Sequence, residues 1–357
     1  MLRIISFSLI STFISCAATT SIWAQTDTAK AAAPAPALSI TGSADLYYRY
    51  NFNKVVNNYT SFTGSHNQAR LGMASLKVEH KTEKVDLVAD LGFGPRAKEF
   101  AYNDNGITQA IKQLYISYSP TAWLKFTGGT WATHVGYEVL DAYANRNYSM
   151  SYMFTNGPFS HTGLKADLAF GKSGLMIGVS NPTDFRIVPD TLKNNKNLIA
   201  QYSFAPNDNF KFYLNYVGGK DAVDSKVHQY DFVATGKLSS LVSLGVNGTL
   251  NKSSYLADDY ASSHTWWGSA LYVNLDPKPW FGLTLRGEYF SDKDNIKIPS
   301  GKVIAGTLTA QFKVDGFIFM PEFRYDNANT TGMFLKSDGV TGTKGTASFL
   351  IAAVYSF

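Results

Sequence analysis

Apolar and polar residues alternate one by one along most of this chain. Ile40, Gly42, Ala44, Leu46, Tyr48, Tyr50 and Phe52 fall on one side, and Thr41, Ser43, Asp45, Tyr47, Arg49 and Asn51 on the other. A period of two is that of an extended strand with one apolar face. The division recurs in Ala74, Leu76, Val78 against Ser75, Lys77, Glu79, and in Val85, Leu87, Ala89, Leu91 against Asp86, Asp90. Phe210, Phe212, Leu214, Tyr216 oppose Lys211 and Asn215; Tyr230, Phe232, Ala234 oppose Gln229, Asp231, Thr235; Val242, Leu244, Val246, Leu250 oppose Ser243, Asn247, Thr249. Late in the chain Leu283, Leu285, Tyr289 oppose Thr284, Arg286, Glu288, and Phe317, Phe319, Phe323, Tyr325 oppose Glu322, Arg324, Asp326.

The segments between these strands alternate in length. Short connections fall at Lys81 to Lys84, Ser119 to Ala122, Gly171 to Gly174, Ala205 to Asn209, Ser239 to Leu241 and Asp276 to Trp280, several with Pro, Gly, Asn or Asp. Longer polar stretches run at Asn53 to Gln68, Gly94 to Gly106, Trp131 to Phe159, Asn181 to Asn197, Gly218 to Lys226, Asn251 to His264, Ser291 to Gly301 and Asn327 to Gly345. The walk predicts an antiparallel up-and-down meander of about 16 strands, within a range of roughly 14–18.

Alternation alone fits either a soluble sandwich or a transmembrane β-barrel. The strand ends decide between them. Tyr48, Tyr50 and Phe52 close the first strand, Tyr102 follows the third, and Tyr289 and Phe290 close a later one, as in the aromatic girdles of membrane barrels. The chain has 21 Tyr, 24 Phe and 29 Gly, with a mean hydropathy near zero; the apolar run in its first residues is too short to span as a helix, and none of that length follows. A sandwich would turn its apolar faces inward and leave the charges outside. Here the polar face carries both signs, which suits a hydrated lumen in which opposite charges pair. The expected fold is an all-β transmembrane barrel over residues 38–357.

The first residues set the compartment. Arg3 precedes an uncharged run from Ile4 to Ala18, and small residues lead to Ala24, the pattern of a cleaved secretory signal over residues 1–24. Cys16 within it offers a lipoprotein alternative, with Phe13 a poor match to the Leu such a signal uses. Residues 25–37, rich in Ala and Pro, read as a flexible periplasmic linker. Losing Arg3 takes 32 basic residues to 31 against 27 acidic, a net charge of +4. So scattered a surplus excludes nucleic acid as a partner. The lone cysteine lies in the signal, so the processed chain holds neither a disulfide nor a cysteine metal site.

The first strand ITGSADLYYRYNF, LKFTGGTWATHVGYE from Leu124 to Glu138, the following NGPFSHTGLKADL, LRGEYFSDKDN from Leu285, and a last strand placing Ala347, Phe349, Ile351, Ala353, Tyr355 and Phe357 on one face together resemble the OmpL-like β-barrel porins. The resemblance spans about Ile40 to Phe357. It implies a porin-type channel of the Gram-negative outer membrane. The terminal aromatic strand is similar to those recognised by the barrel assembly machinery, which implies that machinery and the outer-membrane lipids as partners.

Candidate pore-lining residues are Asp45, Arg49, Arg286, Glu288, Glu322 and Arg324. The arginines could form an anion-attracting ladder or be neutralised by Asp45, Glu288 and Glu322. The Trp131 to Phe159 stretch is long enough to fold inward, bringing His134, Glu138, Asp141 and Arg146 to a constriction where the two acids would face wall arginines. An exposed surface loop is the alternative. The Trp266–Trp267 pair reads as an interface anchor. His66, His80, His134, His161, His228 and His264 show no paired spacing, so no metal or cofactor is expected.

Three function classes follow: a channel for small polar solutes or ions, a structural or adhesive barrel with a plugged lumen, and a phospholipase-type enzyme with His228 near Ser225. No nucleophile motif supports the last, so a non-enzyme is expected. The assembly is a monomer or a trimer.

Overall fold

In the computed structural model, residues 38–221, 223–255 and 259–357 are described. The signal and linker readings lie outside them. The strands are β1 (Leu38–Asn51), β2 (Gln68–Lys81), β3 (Val85–Phe93), β4 (Ile111–Thr121), β5 (Leu124–Ala132), β6 (Ser160–Phe170), β7 (Ser173–Ser180) and β8 (Asn197–Asn207). They continue with β9 (Phe210–Lys220), β10 (Lys226–Lys237), β11 (Val242–Ser254), β12 (His264–Lys278), β13 (Phe281–Asp292), β14 (Lys302–Val314) and β15 (Phe317–Ala328). The short β16 (Phe334–Leu335) and β17 (Gly342–Thr343) pair with each other ahead of β18 (Gly345–Ser356). Sixteen of these strands close into one antiparallel barrel, each beside its neighbour in sequence, with β18 joining β15 to β1.

Burial is inverted relative to a soluble protein. Leu285 is 51% exposed while its neighbour Arg286 is 0% exposed, and Phe323 is 45% exposed beside a 3% exposed Arg324. Apolar side chains therefore form the outer wall and polar ones the lumen wall, as hydrocarbon outside and water or protein inside require.

One end of the barrel carries tight turns. Asp315 and Gly316 both take positive φ between β14 and β15, the geometry of a primed hairpin that an Asp-Gly pair adopts readily. Aromatics rim both ends on the outer face. Trp280, Phe281, Phe312 and Phe319 touch in sequence at the turn end, and Tyr50, Phe52 and Phe323 at the loop end. Two expected rim residues lie elsewhere. Phe290 points inward and is fully buried. Tyr102 sits on the β3–β4 connection, where its hydroxyl donates to Asp184.

The chain end locks the closure. Phe357 and Gly42 exchange both backbone hydrogen bonds, at 3.0 and 3.1 Å, and the Phe357 ring fills the space a Cβ on Gly42 would need. A register shift between Ala44 and Leu46 on β1 lays the Asp45 side chain across Gly72 of β2. There its carboxylate accepts from the Met73 amide at 3.1 Å.

Gly72→Val would place a side chain where that carboxylate lies. The expected loss is about 1–3 kcal/mol of barrel stability, read as a lower temperature for loss of the compact, heat-modifiable band on gels. An unchanged temperature would show that Asp45 has room to move.

Candidate functional site

The connection between β5 and β6, residues 133–159, does not stand out from the barrel. It crosses the lumen and meets wall residues on most sides. A 3₁₀ turn at Ala142–Ala144 and a short helix (Tyr152–Asn156) shape it. Ser151 caps this helix by accepting from the Phe154 amide, so the chain reverses without leaving that donor unpaired.

The densest contacts are with β13, β14 and β15. Arg286 pairs with Glu138 of the loop and lies 3.3 Å from Glu288 on its own strand. It also donates to the Ser149 carbonyl at 2.7 Å and to Thr307 at 3.1 Å. Arg324 pairs with Glu288 at 3.1 Å and with Asp326 at 2.8 Å, and donates to the Met150 carbonyl at 2.8 Å. Glu288 accepts the Tyr152 amide, Glu322 the Tyr148 amide and Asp326 the Tyr152 hydroxyl. Wall carboxylates thus hold the loop backbone, and loop carbonyls hold the wall arginines. Two arginines face four carboxylates here: Glu138, Glu288, Glu322 and Asp326.

Other walls hold the loop by fewer bonds. Lys112 of β4 bridges Asp141 at 2.6 Å and Asp90 at 3.0 Å. On β1, Asp45 accepts from the Tyr148 hydroxyl at 2.5 Å. On β12, Asp276 pairs with Arg146 at 2.8 Å, which also reaches Thr284 of β13 at 3.1 Å. Toward β8–β10 the contacts include His134 to the Tyr216 carbonyl at 3.2 Å, Gln201 to the His134 carbonyl at 3.3 Å and the Gly136 amide to Asp231 at 3.0 Å. Burial pulls the His134 imidazole down to about 4, so it is neutral at pH 7.

The lumen wall of β8–β11 is different in kind. Gln201, Asn215, Asp231 and Asn247 form a hydrogen-bonded row, with links of 2.8, 2.7 and 2.6 Å. Between this wall and the loop lies a narrow cleft of about 10 Å³, room for about one water molecule, whose polar lining is Gln229, Asp231, Asn247 and Thr249.

The structure brings Glu138, Arg286, Glu288 and Arg324 into one cluster and sets Glu322 against the same loop segment. Asp141 meets Lys112 in place of an arginine. Arg49 forms no ion pair with Asp45, Glu288 or Glu322: it donates to Asn58 at 2.6 Å and to the Thr63 carbonyl at 2.8 Å, tying down the β1–β2 loop. Only Trp267 faces outward. Strand alternation turns Trp266 inward against Phe290, at 5.3 Å between ring centres. Two histidines that look scattered in sequence meet in space, His134 and His161 having ring centres 5.0 Å apart. Among the described residues no group of three or more His, Cys, Asp or Glu is placed to hold a metal ion.

Sequence reasoning missed Lys112, Asp326, Tyr148 and Tyr152. Asp326 shared the polar face of Glu322 and Arg324, and that signal could have found it. The tyrosines gave none, because their roles depend on how the loop folds.

A search of curated proteins finds no match. Among solved structures, the anion-selective porin of Comamonas acidovorans matches at 11% identity with a TM-score of 0.60, covering 90% of this chain and 99% of that one. The outer membrane channel DcaP of Acinetobacter baumannii matches at 12% identity and 0.60, covering 90% and 97%. OprB of Pseudomonas putida does so at 12% and 0.60, covering 90% and 94%. At such identities these likenesses speak for the barrel fold. The family model described as "Putative beta-barrel porin-2, OmpL-like" matches residues 37–357. The chain therefore belongs to the OmpL-like β-barrel porin family, as an outer-membrane, porin-like channel.

Proposed function

We propose that this barrel passes small polar solutes and cations through a lumen narrowed by its β5–β6 loop, along the side where the loop faces β8–β11. The observation that carries this reading is the loop's uneven attachment: ion pairs hold it to β13–β15, whereas single hydrogen bonds and a cleft separate it from the amide-rich wall. Four carboxylates against two arginines in the clamped region favour cations. Its assembly partners in this reading are outer-membrane lipids and the barrel assembly machinery, as a monomer or a trimer, and it is not an enzyme. The outer wall fits that last point: His228 spends its Nδ1 on the Tyr216 hydroxyl at 2.9 Å, and Ser225 is fully buried.

The packing also favours a second reading, a barrel plugged until the loop moves. Arg286, Glu288, Glu322 and Arg324 are at most 5% exposed, so the loop covers that wall closely.

Planar-bilayer recording separates the two. Replacing residues 137–157 by a short Gly/Ser linker should raise single-channel conductance several-fold. A silent parent with a conducting variant supports the plug, and equal conductance in both rejects a constricting loop. In a conducting parent, Glu138→Gln should lower cation preference and Arg324→Gln should raise it. Unchanged preference in both variants would remove the charge cluster from the pathway.

Arg286→Met would leave Glu138 and Glu288 short of a buried cation, costing about 3–5 kcal/mol. The expected readout is faster proteolysis within 133–159, with much of the protection restored in Arg286→Met/Glu138→Gln. Equal protection in parent and single variant would mean that water already solvates the cluster.

A further inference from the structure

The outer face of the loop end, over β8–β11, carries a row of cations that the lumen does not use. Lys220 and Lys226 are direct partners in the β9–β10 ladder. Lys196 precedes Asn197, the partner of Gly219, and so extends the row across β8. Lys252 of β11 opposes His228, two residues below Lys226. Alternation puts these side chains outside: Lys226, His228 and Tyr230 are on the outer side of β10, with Gln229 and Asp231 buried inside.

Like charges set opposite each other on one face destabilise a sheet. Local acids answer the row only in part. Asp224 takes Lys220 at 3.0 Å, and Asp221 spends its carboxylate on the Val223 and Ser225 amides. The Tyr260 ring lies 4.1 Å from the Lys226 ammonium. Among the described residues the face thus retains an excess of positive charge, with the Lys196 ammonium resting on the Lys193 and Asn195 carbonyls.

Beneath the row the wall turns aromatic and then aliphatic. Tyr216 and His228 lie together over Gly218, and Phe232 covers Gly248. Leu198, Leu214 and Tyr230 continue the exposed apolar surface downward. Cations above an aromatic belt above aliphatics match the depth profile of an anionic amphiphile in the leaflet at this end of the barrel. Four strands span three inter-strand spacings, roughly 14 Å, the breadth of a disaccharide headgroup with a phosphate at each end.

We propose that this face binds an outer-leaflet lipid with a phosphorylated sugar headgroup, its phosphates on Lys196, Lys220, Lys226 and Lys252 and its acyl chains against the wall below. The proposal needs only the outer-membrane location, and its test is independent of conductance.

The test is lipid retention by the refolded full chain in detergent, counted by native mass spectrometry. The probes are a bisphosphorylated disaccharide lipid, the same lipid dephosphorylated, phosphatidylglycerol, and inorganic phosphate as competitor. The phosphorylated sugar lipid should be retained, and Lys196→Gln/Lys220→Gln/Lys226→Gln/Lys252→Gln should weaken it by about tenfold or more. Lys302→Gln, outward at the same end on β14, should leave retention unchanged. If the quadruple variant lacks the heat-modifiable band, Lys226→Gln/Lys252→Gln serves and should still weaken retention measurably. Equal retention of the dephosphorylated lipid or of phosphatidylglycerol, complete displacement by millimolar phosphate, or unaltered retention in the variants would each overturn the proposal.

Discussion

Hydrocarbon offers no partner to a peptide group, and an unpaired one costs several kcal/mol there. That penalty organises this chain. It is met by joining β18 to β1, which removes the sheet edges an open meander would expose to lipid. Closure in turn sorts side chains, since each step along a strand exchanges outside for inside. Leucine and phenylalanine face lipid at positions where a soluble protein would place lysine and glutamate.

The same constraint creates a second problem in the interior. The lumen wall carries arginines and carboxylates packed against protein, and charges out of water demand partners. Register supplies some of these, as when Glu288 sits between Arg286 and Arg324. The β5–β6 loop supplies the rest with backbone groups: carbonyls of Ser149 and Met150 for the arginines, amides of Tyr148 and Tyr152 for the carboxylates. Wall and loop thus satisfy each other. Aromatic side chains complete this core, Tyr152 against Phe290 and Trp266 against the same ring.

This division of labour explains what could be read from the chain alone. Two-residue periodicity is local, so strand number, facing and the Glu288, Glu322 and Arg324 wall positions were legible in it. So was the length of the β5–β6 connection. Pairing was not, because it depends on partners far apart in sequence. Arg49 lies on the same face as Arg286, yet it bonds Asn58 and Thr63 of its own neighbouring loop. Phe290 and Trp266 look like rim aromatics by position, and one residue of alternation turns both inward. His134 and His161 are separated by the whole loop and meet only because β5 and β6 are adjacent.

The energetics of the loop's attachments also bear on where a solute would pass. Separating it from β13–β15 would strand Arg286 and Glu138 in a poorly hydrated site, at several kcal/mol per unpaired charge. Separating it from β9 and β10 would break hydrogen bonds such as Gly136 to Asp231, each worth about 1–3 kcal/mol net and replaceable by water. The Gln201–Asn215–Asp231–Asn247 row keeps most of its own bonds in either case, so that wall stays ordered when wetted. A loop anchored strongly on one side and weakly on the other admits water on the weak side first. The pathway proposed for this channel follows from that difference rather than from the present width of the cleft.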